Sequence, residues 1–89
     1  MVLEKFRTID NGNKYIYFEL KTDTGKTQVW KVVNKSSGYT LAIIKWYSAW
    51  RQYVIEFDQP YITTFNNGCL ESVVSFLNRL NKEKRITVR

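Results

Sequence analysis

The chain has 89 residues, of which 44% are hydrophobic and 16% aromatic, and it carries a formal net charge of +6 at pH 7. This length favours a single domain around one hydrophobic core. The sequence contains no histidine and a single cysteine, Cys69, which excludes a histidine general base, an intrachain disulfide and a zinc site built from histidine and cysteine.

Five runs rich in β-branched and aromatic residues follow one another through the first two thirds of the chain. Turn signals separate them, and Asn11-Gly12 is typical of a hairpin because both residue types tolerate positive φ. The predicted strands are residues 2–9, 14–21, 27–34, 39–47 and 51–57. Because the loops between them are short, we expect an antiparallel meander of about five strands.

The fourth predicted strand reads as a central one. Residues 41–44 are apolar on both faces, which is typical of a strand near the middle of a sheet. If Trp46 points toward the core, Lys45 and Tyr47 lie on the opposite, open face. Lys31 on the neighbouring strand is expected to share that face.

The segment from Lys45 to Tyr53 departs further from average composition than any other part of the chain. It holds two of the three tryptophans and two of the six tyrosines, interleaved with Lys and Arg. Such residues suit a surface that stacks on bases or anchors a partner protein. They also suit cross-strand packing within a hairpin, and the sequence leaves both interpretations open.

After Pro60 the pattern changes to that of a helix, which we expect over residues 69–81. Asn66 or Asn67 is the expected N-cap. The predicted fold class is therefore α+β, with one C-terminal helix packed on one face of the meander. The predicted buried stripe comprises Leu70, Val73, Val74, Leu77 and Leu80, with Cys69 and Phe76 at its edge.

Positive charge is concentrated at the C-terminus. Residues 79–89 contain five cations against one anion, which accounts for +4 of the net charge of +6. We therefore predict a domain over residues 1–83 followed by a basic tail, residues 84–89. A basic tail strengthens phosphate binding through counterion release.

No apolar run is long enough to cross a membrane. The longest, from Leu41 to Ile44, is far below the roughly 20 residues that a span requires. With a free thiol and no apolar leader, we expect a soluble cytoplasmic protein that needs neither cofactor nor metal. An edge strand is able to pair with a second copy, so we expect a monomer or a homodimer.

One part of the sequence resembles a group of small uncharacterised bacterial and phage-borne proteins. Their pattern is Lys-Trp-Tyr, two spacer residues, Trp-Arg-x-Tyr and then a Cys-Leu helix. The resemblance covers about residues 28–83, through the segment 41–53, Phe65, Cys69-Leu70 and Phe76.

Two positions depart from that pattern. Ala42 stands where the group usually has glycine, and the Ser48-Ala49 spacer lacks a common proline. The resemblance carries no activity with it, but it implies a phage or prophage setting.

These features predict a small non-catalytic binding module. In the main hypothesis it binds nucleic acid through the open face of the sheet and the basic tail, with cations on phosphates and with Tyr47 and Trp50 stacked on bases or wedged between them. The alternative is a protein-binding adaptor or inhibitor that uses the same Trp/Tyr/Arg patch as a hot spot. The expected contact residues are Lys31, Lys45, Tyr47, Trp50, Arg51, Arg79, Lys82, Lys84 and Arg85.

Overall fold

The structure, a computed structural model, describes residues 8–57 and 64–87, the last three of these by their backbone alone. Its strands form one antiparallel sheet in the order β1-β2-β3-β4-β5, and the predicted α+β meander with one C-terminal helix is confirmed. The elements are β1 (Ile9–Asp10), β2 (Ile16–Asp23), β3 (Gln28–Asn34), β4 (Thr40–Tyr47), β5 (Gln52–Glu56) and α1 (Asn67–Thr87).

The predicted boundaries of β2 to β5 agree with the structure to within about two residues. The first predicted strand, residues 2–9, lies outside the described residues except at its C-terminal end. Within the described residues, no helix has the length and apolar character needed to span a bilayer.

The turn between β1 and β2 joins the sheet to the start of the helix. Gly12 has a φ of +57°, and a Cβ there would lie 2.6 Å from the carbonyl oxygen of Ile16, so the turn requires glycine. Asn13 Oδ1 accepts hydrogen bonds from the backbone N–H groups of Tyr15 and Ile16, at 2.8 and 3.0 Å. The side-chain amide of Asn13 lies 3.8 Å from the sulfur of Cys69 at the first turn of α1.

The core lies between one face of the sheet and α1, with Phe76 at its centre. The Phe76 ring is stacked on Phe18, with centroids 4.2 Å apart, and meets Trp30 edge-on at 4.9 Å. Burial of each such side chain contributes roughly 1.5–3 kcal/mol. The helix buries Cys69, Val73, Phe76 and Leu80 in this core.

The buried stripe predicted for the helix is wrong in its orientation. Leu70 and Val74, predicted to be buried, are 46% and 54% exposed, and Leu77 is half-buried. Val73 and Leu80 are buried as predicted, and they are joined in the core by Cys69 and Phe76, which were predicted at the edge of the stripe. The reason is that the helix turns its largest apolar side chain toward the aromatic rings of β2 and β3, which rotates the stripe by about one position.

The helix is also longer than the pattern predicts. It is capped by Asn66, whose Oδ1 accepts a hydrogen bond from the N–H of Cys69 at 2.8 Å. It then continues to Thr87, six residues past the predicted end. Residues 84–87, assigned from their charge to a basic tail, continue the helix, and residues 88–89 lie outside the described part of the chain.

The helix also covers the middle of β5, one edge of the sheet. Asn81 Oδ1 accepts a hydrogen bond from the Tyr53 N–H at 2.6 Å, and its amide donates to the Tyr53 carbonyl at 3.4 Å. These two hydrogen bonds occupy the backbone groups of Tyr53 that a neighbouring strand would otherwise bind. The β5 edge is therefore a poorer site for pairing with a second copy than the sequence suggests.

Candidate binding surface at one end of the sheet

Two predicted contact residues, Lys31 and Lys45, lie on the open face of the sheet, and each faces a carboxylate. Lys31 Nζ is 3.6 Å from Glu19 Oε1, and Lys45 Nζ is 3.7 Å from Glu56 Oε1. The register explains both pairs, since Lys31 lies opposite Glu19 and Glu56 lies opposite Ile43, the same-face neighbour of Lys45. Both of these predicted lysines are therefore offset by carboxylates, and the exposed Lys21, which lines the same depression as Lys45 and Glu56, adds a third cation to this face.

The turn between β4 and β5, residues 48–51, carries an exposed Trp50 next to Tyr47 at the end of β4, while Tyr15, Tyr39 and Phe57 are exposed elsewhere in the described residues. Trp50 is 66% exposed, and its ring meets that of Tyr47 edge-on, with centroids 5.0 Å apart and an interplanar angle of 88°. Tyr47 is also exposed, at 38%. Core packing does not account for two large neighbouring rings left in water, and such patches mark contact sites.

Arg51 completes this turn in a strained backbone conformation. Its φ is 55°, and among the described residues other than glycine it alone has a positive φ. Its N–H donates to the carbonyls of Tyr47 and Ser48, at 2.9 and 3.2 Å. The left-handed conformation costs a non-glycine residue about 1–2 kcal/mol. Strain of this kind is found most often at binding and active sites.

Trp46 and Tyr53, the other large rings of the segment, pack inward. Their rings meet edge-on at 5.4 Å, and the Tyr53 hydroxyl accepts a hydrogen bond from the Gln28 N–H at 3.0 Å. Burial raises the pKa of Tyr53 above its ordinary value of 10.0, against the lowering effect of that bond, and the negative charges of Asp23 and Glu83 also raise it. The segment from Lys45 to Tyr53 thus has two rings packed inward, Trp46 and Tyr53, and two rings exposed to solvent, Tyr47 and Trp50.

The C-terminal end of α1 lies at the same end of the sheet as the β4–β5 turn. Lys84 Nζ is 5.3 Å from the centroid of the Trp46 ring, and it donates a hydrogen bond to the carbonyl of Lys26 in the β2–β3 loop. Trp46 pairs across the strands with Tyr53, one position before the pair that closes the turn. The helix end and the turn therefore lie at the same end of the sheet, although Trp46, which Lys84 contacts, and Tyr47 point to opposite faces.

This neighbourhood gathers cations from three separate parts of the chain. Lys82 is exposed on the last turns of the helix, and Asp23 and Glu83 line the same cleft as Lys26 and Lys84. We define the sheet-end surface as Lys26, Tyr47, Trp50, Arg51, Lys82 and Lys84. No sequence signal indicated Lys26, because only the fold brings its loop to the helix end.

Arg79 and Arg85, also predicted as contact residues, are not part of the sheet-end surface. The Arg79 guanidinium pairs with the carboxylate of Asp10, and its Cζ lies 5.1 Å from the centroid of the Phe76 ring. Arg79 therefore ties the helix to β1. The side chain of Arg85 lies outside the described part of the chain, although its backbone continues α1.

Comparison with curated proteins shows similarity to an uncharacterised 9.3 kDa protein of Acholeplasma phage L2. The two chains are 29% identical over 75 residues, which cover 83% of this chain and 94% of the phage protein. No protein-family model matches the chain, and no solved structure matches it. The chain is thus similar, over most of its length, to a small phage protein.

Proposed function

We propose that this protein is a non-catalytic nucleic-acid-binding module of phage type and that the sheet-end surface is its contact site. The observation that carries the proposal is the exposed Tyr47–Trp50 pair, which lies at the end of the sheet where Lys84 of α1 reaches the neighbouring Trp46 ring. Surfaces that bind nucleic acid combine flat aromatic side chains with flexible cations, because bases stack on the rings and phosphates attract the positive charge.

The side chains of the sheet-end surface are suited to different parts of a nucleic acid. Lys82, Lys84 and Lys26 are suited to phosphates, to which a lysine offers a compact charge on a flexible stem. Trp50 and Tyr47 are suited to bases, and stacking on an aromatic side chain contributes about 1–3 kcal/mol per base. Arg51, fixed at the end of the turn, offers a planar guanidinium that can meet a phosphate or a base edge.

The proposal moves the phosphate-binding cations away from the open face of the sheet. Lys31 and Lys45 stand there opposite Glu19 and Glu56, and a phosphate approaching either lysine also meets a carboxylate. At the sheet end, Lys82 is exposed and lies on a helix terminus that projects past the last residue bound to β5. The position of a lysine in the fold, rather than the net charge of the protein, therefore decides whether it contributes to the proposed binding.

A pair of charge-matched variants tests the proposal. Lys82→Gln and Lys45→Gln each remove one positive charge, the first from the sheet-end surface and the second from the open face. Binding to a labelled oligonucleotide is measured by fluorescence anisotropy at two salt concentrations. We expect Lys82→Gln to weaken binding several-fold and to lower the salt slope by about one counterion, with a smaller effect of Lys45→Gln. Equal losses, or a larger loss from Lys45→Gln, would contradict the proposed site.

The exposure of Trp50 favours a second candidate, a protein-binding adaptor. Trp, Tyr and Arg are the residues most often found in protein hot spots, and all three occur in this turn. A protein contact anchored by Trp50 is far less sensitive to salt than a phosphate contact. If the wild-type protein shows no salt-dependent binding to any oligonucleotide, the adaptor replaces the nucleic-acid module.

A further inference from the structure

We infer that the sheet-end surface selects unpaired bases, so that its ligand is single-stranded nucleic acid rather than a duplex. This inference rests on the proposed function and narrows it to one class of ligand. It is carried by the geometry of the Tyr47–Trp50 pair, by the rigidity of the turn that holds it and by the distribution of charge around it.

The two rings form an open corner. They stand at 88° to one another with centroids 5.0 Å apart, and Trp50 remains 66% exposed. A base can lie flat on the free ring surface while its edge meets the second ring, an arrangement that aromatic groups favour. A base within a duplex has both faces covered by its neighbours, so only an unpaired or terminal base can enter this corner.

The turn holds the corner in place before any ligand arrives. The Tyr47 carbonyl accepts hydrogen bonds from the N–H groups of both Trp50 and Arg51, at 3.1 and 2.9 Å. The hairpin pairs directly below it are Tyr47 with Gln52 and Trp46 with Tyr53, and the backbone of Tyr53 is held in turn by Asn81. A platform that is already ordered loses little entropy on binding, which favours stacking by a single flexible strand.

The surface lacks the features that a duplex reader needs. Duplex readers insert a helix or a two-stranded ribbon into a major groove about 12 Å wide. Here one face of α1 is buried in the core and Arg79 pairs with Asp10, while Lys31 and Lys45 on the open face of the sheet each pair with a glutamate. The cations of the helix end and of the β2–β3 loop lie instead at the same end of the sheet as the aromatic corner, where they can attract the phosphates of a single strand.

Three probes of equal length separate stacking from charge. They are an oligothymidylate of about 12 nucleotides, within the range of site sizes for single-strand modules, an abasic strand with the same phosphates, and a duplex. We expect the oligothymidylate to bind about tenfold more tightly than either of the others, since one stacked base is worth about that factor. An oligouridylate shows whether RNA behaves in the same way.

Variants of Trp50 test whether the Tyr47–Trp50 pair causes the preference for unpaired bases. Trp50→Ala should remove the preference for the oligothymidylate over the abasic strand, whereas Trp50→Phe should keep most of it. Because Trp50 lies on the surface, both variants should fold, and far-ultraviolet circular dichroism checks this. Quenching of tryptophan fluorescence on binding should fall strongly in Trp50→Phe, since Trp30 is 7% exposed and Trp46 packs against Tyr53.

The outcomes distinguish this inference from the proposed function. If the abasic strand or the duplex binds as tightly as the oligothymidylate, or if Trp50→Ala leaves the preference unchanged, selection of unpaired bases is overturned while nucleic-acid binding stands. If none of the probes binds the wild-type protein in a salt-dependent way, both this inference and the proposed function are contradicted. A preference for the base-bearing strand in either the DNA or the RNA series, lost in Trp50→Ala, supports the inference.

Discussion

Trp46 and Tyr47 are neighbours in the chain with opposite surroundings. Trp46 packs against Tyr53 beside Lys84 on the helix-covered face, whereas Tyr47 meets Trp50 in water. The alternation of side chains along a strand separates the two residues. The composition of the segment therefore identified an unusual region, and only the strand geometry shows which of its rings face solvent.

The strain at Arg51 leads to a prediction about stability. Arg51→Gly removes the penalty of a Cβ at a φ of 55°, and part of that gain is offset by the greater freedom of glycine in the unfolded chain. We expect the free energy of unfolding, measured by urea denaturation, to rise by about 0.5–1 kcal/mol. Arg51→Ala keeps the Cβ while removing the charge and should not stabilise the protein. Equal stabilisation by both variants would show that charge, and not strain, is responsible.

Tyr53 predicts how stability changes at high pH. Because burial raises its pKa above 10.0 in the folded state, the unfolded chain releases this proton first as the pH rises. The stabilising contribution is complete below pH 10.0 and is lost as the pH rises through the raised folded pKa. The loss in unfolding free energy between about pH 9 and about pH 11 should be smaller in Tyr53→Phe than in the wild type. Parallel losses in the two proteins would argue against this role of Tyr53.

At the scale of secondary-structure elements, the helix shows where local pattern stops being informative. Its N-cap was predicted to be Asn66 or Asn67, because capping depends on residues adjacent in sequence, and Asn66 is the residue that caps it. Its buried face was not, because Phe76 selects that face by stacking on Phe18 in a distant strand. Its C-terminal extent was not predicted either, since Lys84 contacts Trp46 and the carbonyl of Lys26.

Two leucines of the same helix test the observed face. Leu80 is 6% exposed and Leu70 is 46% exposed, although the sequence pattern predicted both to be buried. Leu80→Ala should lower the free energy of unfolding by about 2–5 kcal/mol, as core truncations do. Leu70→Ala should lower it by less than about 1 kcal/mol. Similar losses from both variants would mean that the helix faces the sheet with the stripe originally predicted.

Asn81 and Asn78 form a second matched pair on this helix. Asn81 binds both backbone groups of Tyr53, whereas Asn78 is exposed. We expect Asn81→Leu to lower the free energy of unfolding by about 1–3 kcal/mol and, by uncovering the β5 edge, to promote self-association in sedimentation velocity. Asn78→Leu should do neither. If Asn81→Leu is as stable and as monomeric as Asn78→Leu, then Asn81 does not protect the β5 edge.

For the molecule as a whole, the fold was more predictable than the site. Turn signals such as Asn11-Gly12 and Ser37-Gly38 act locally, and they set the strand order of a meander without any long-range information. The charge state of the open face depends instead on the register that brings Glu19 to Lys31 and Glu56 near Lys45. The contribution of Lys26 depends on how the helix crosses the sheet, which no local pattern specifies.

The location of nucleic-acid contact is tested most directly by mapping it residue by residue. Amide and indole N–H chemical shifts of the isotopically labelled protein are followed while a single-stranded oligonucleotide is added. The account predicts shifts at residues 47–51, at Lys26, at residues 82–84 and at the Trp50 indole. The Trp30 indole, which donates to Gln28 Oε1 at 3.0 Å within the protein, should remain in place. Shifts that centre on Lys31, Ile43 and Lys45 while the Trp50 indole does not move would contradict it.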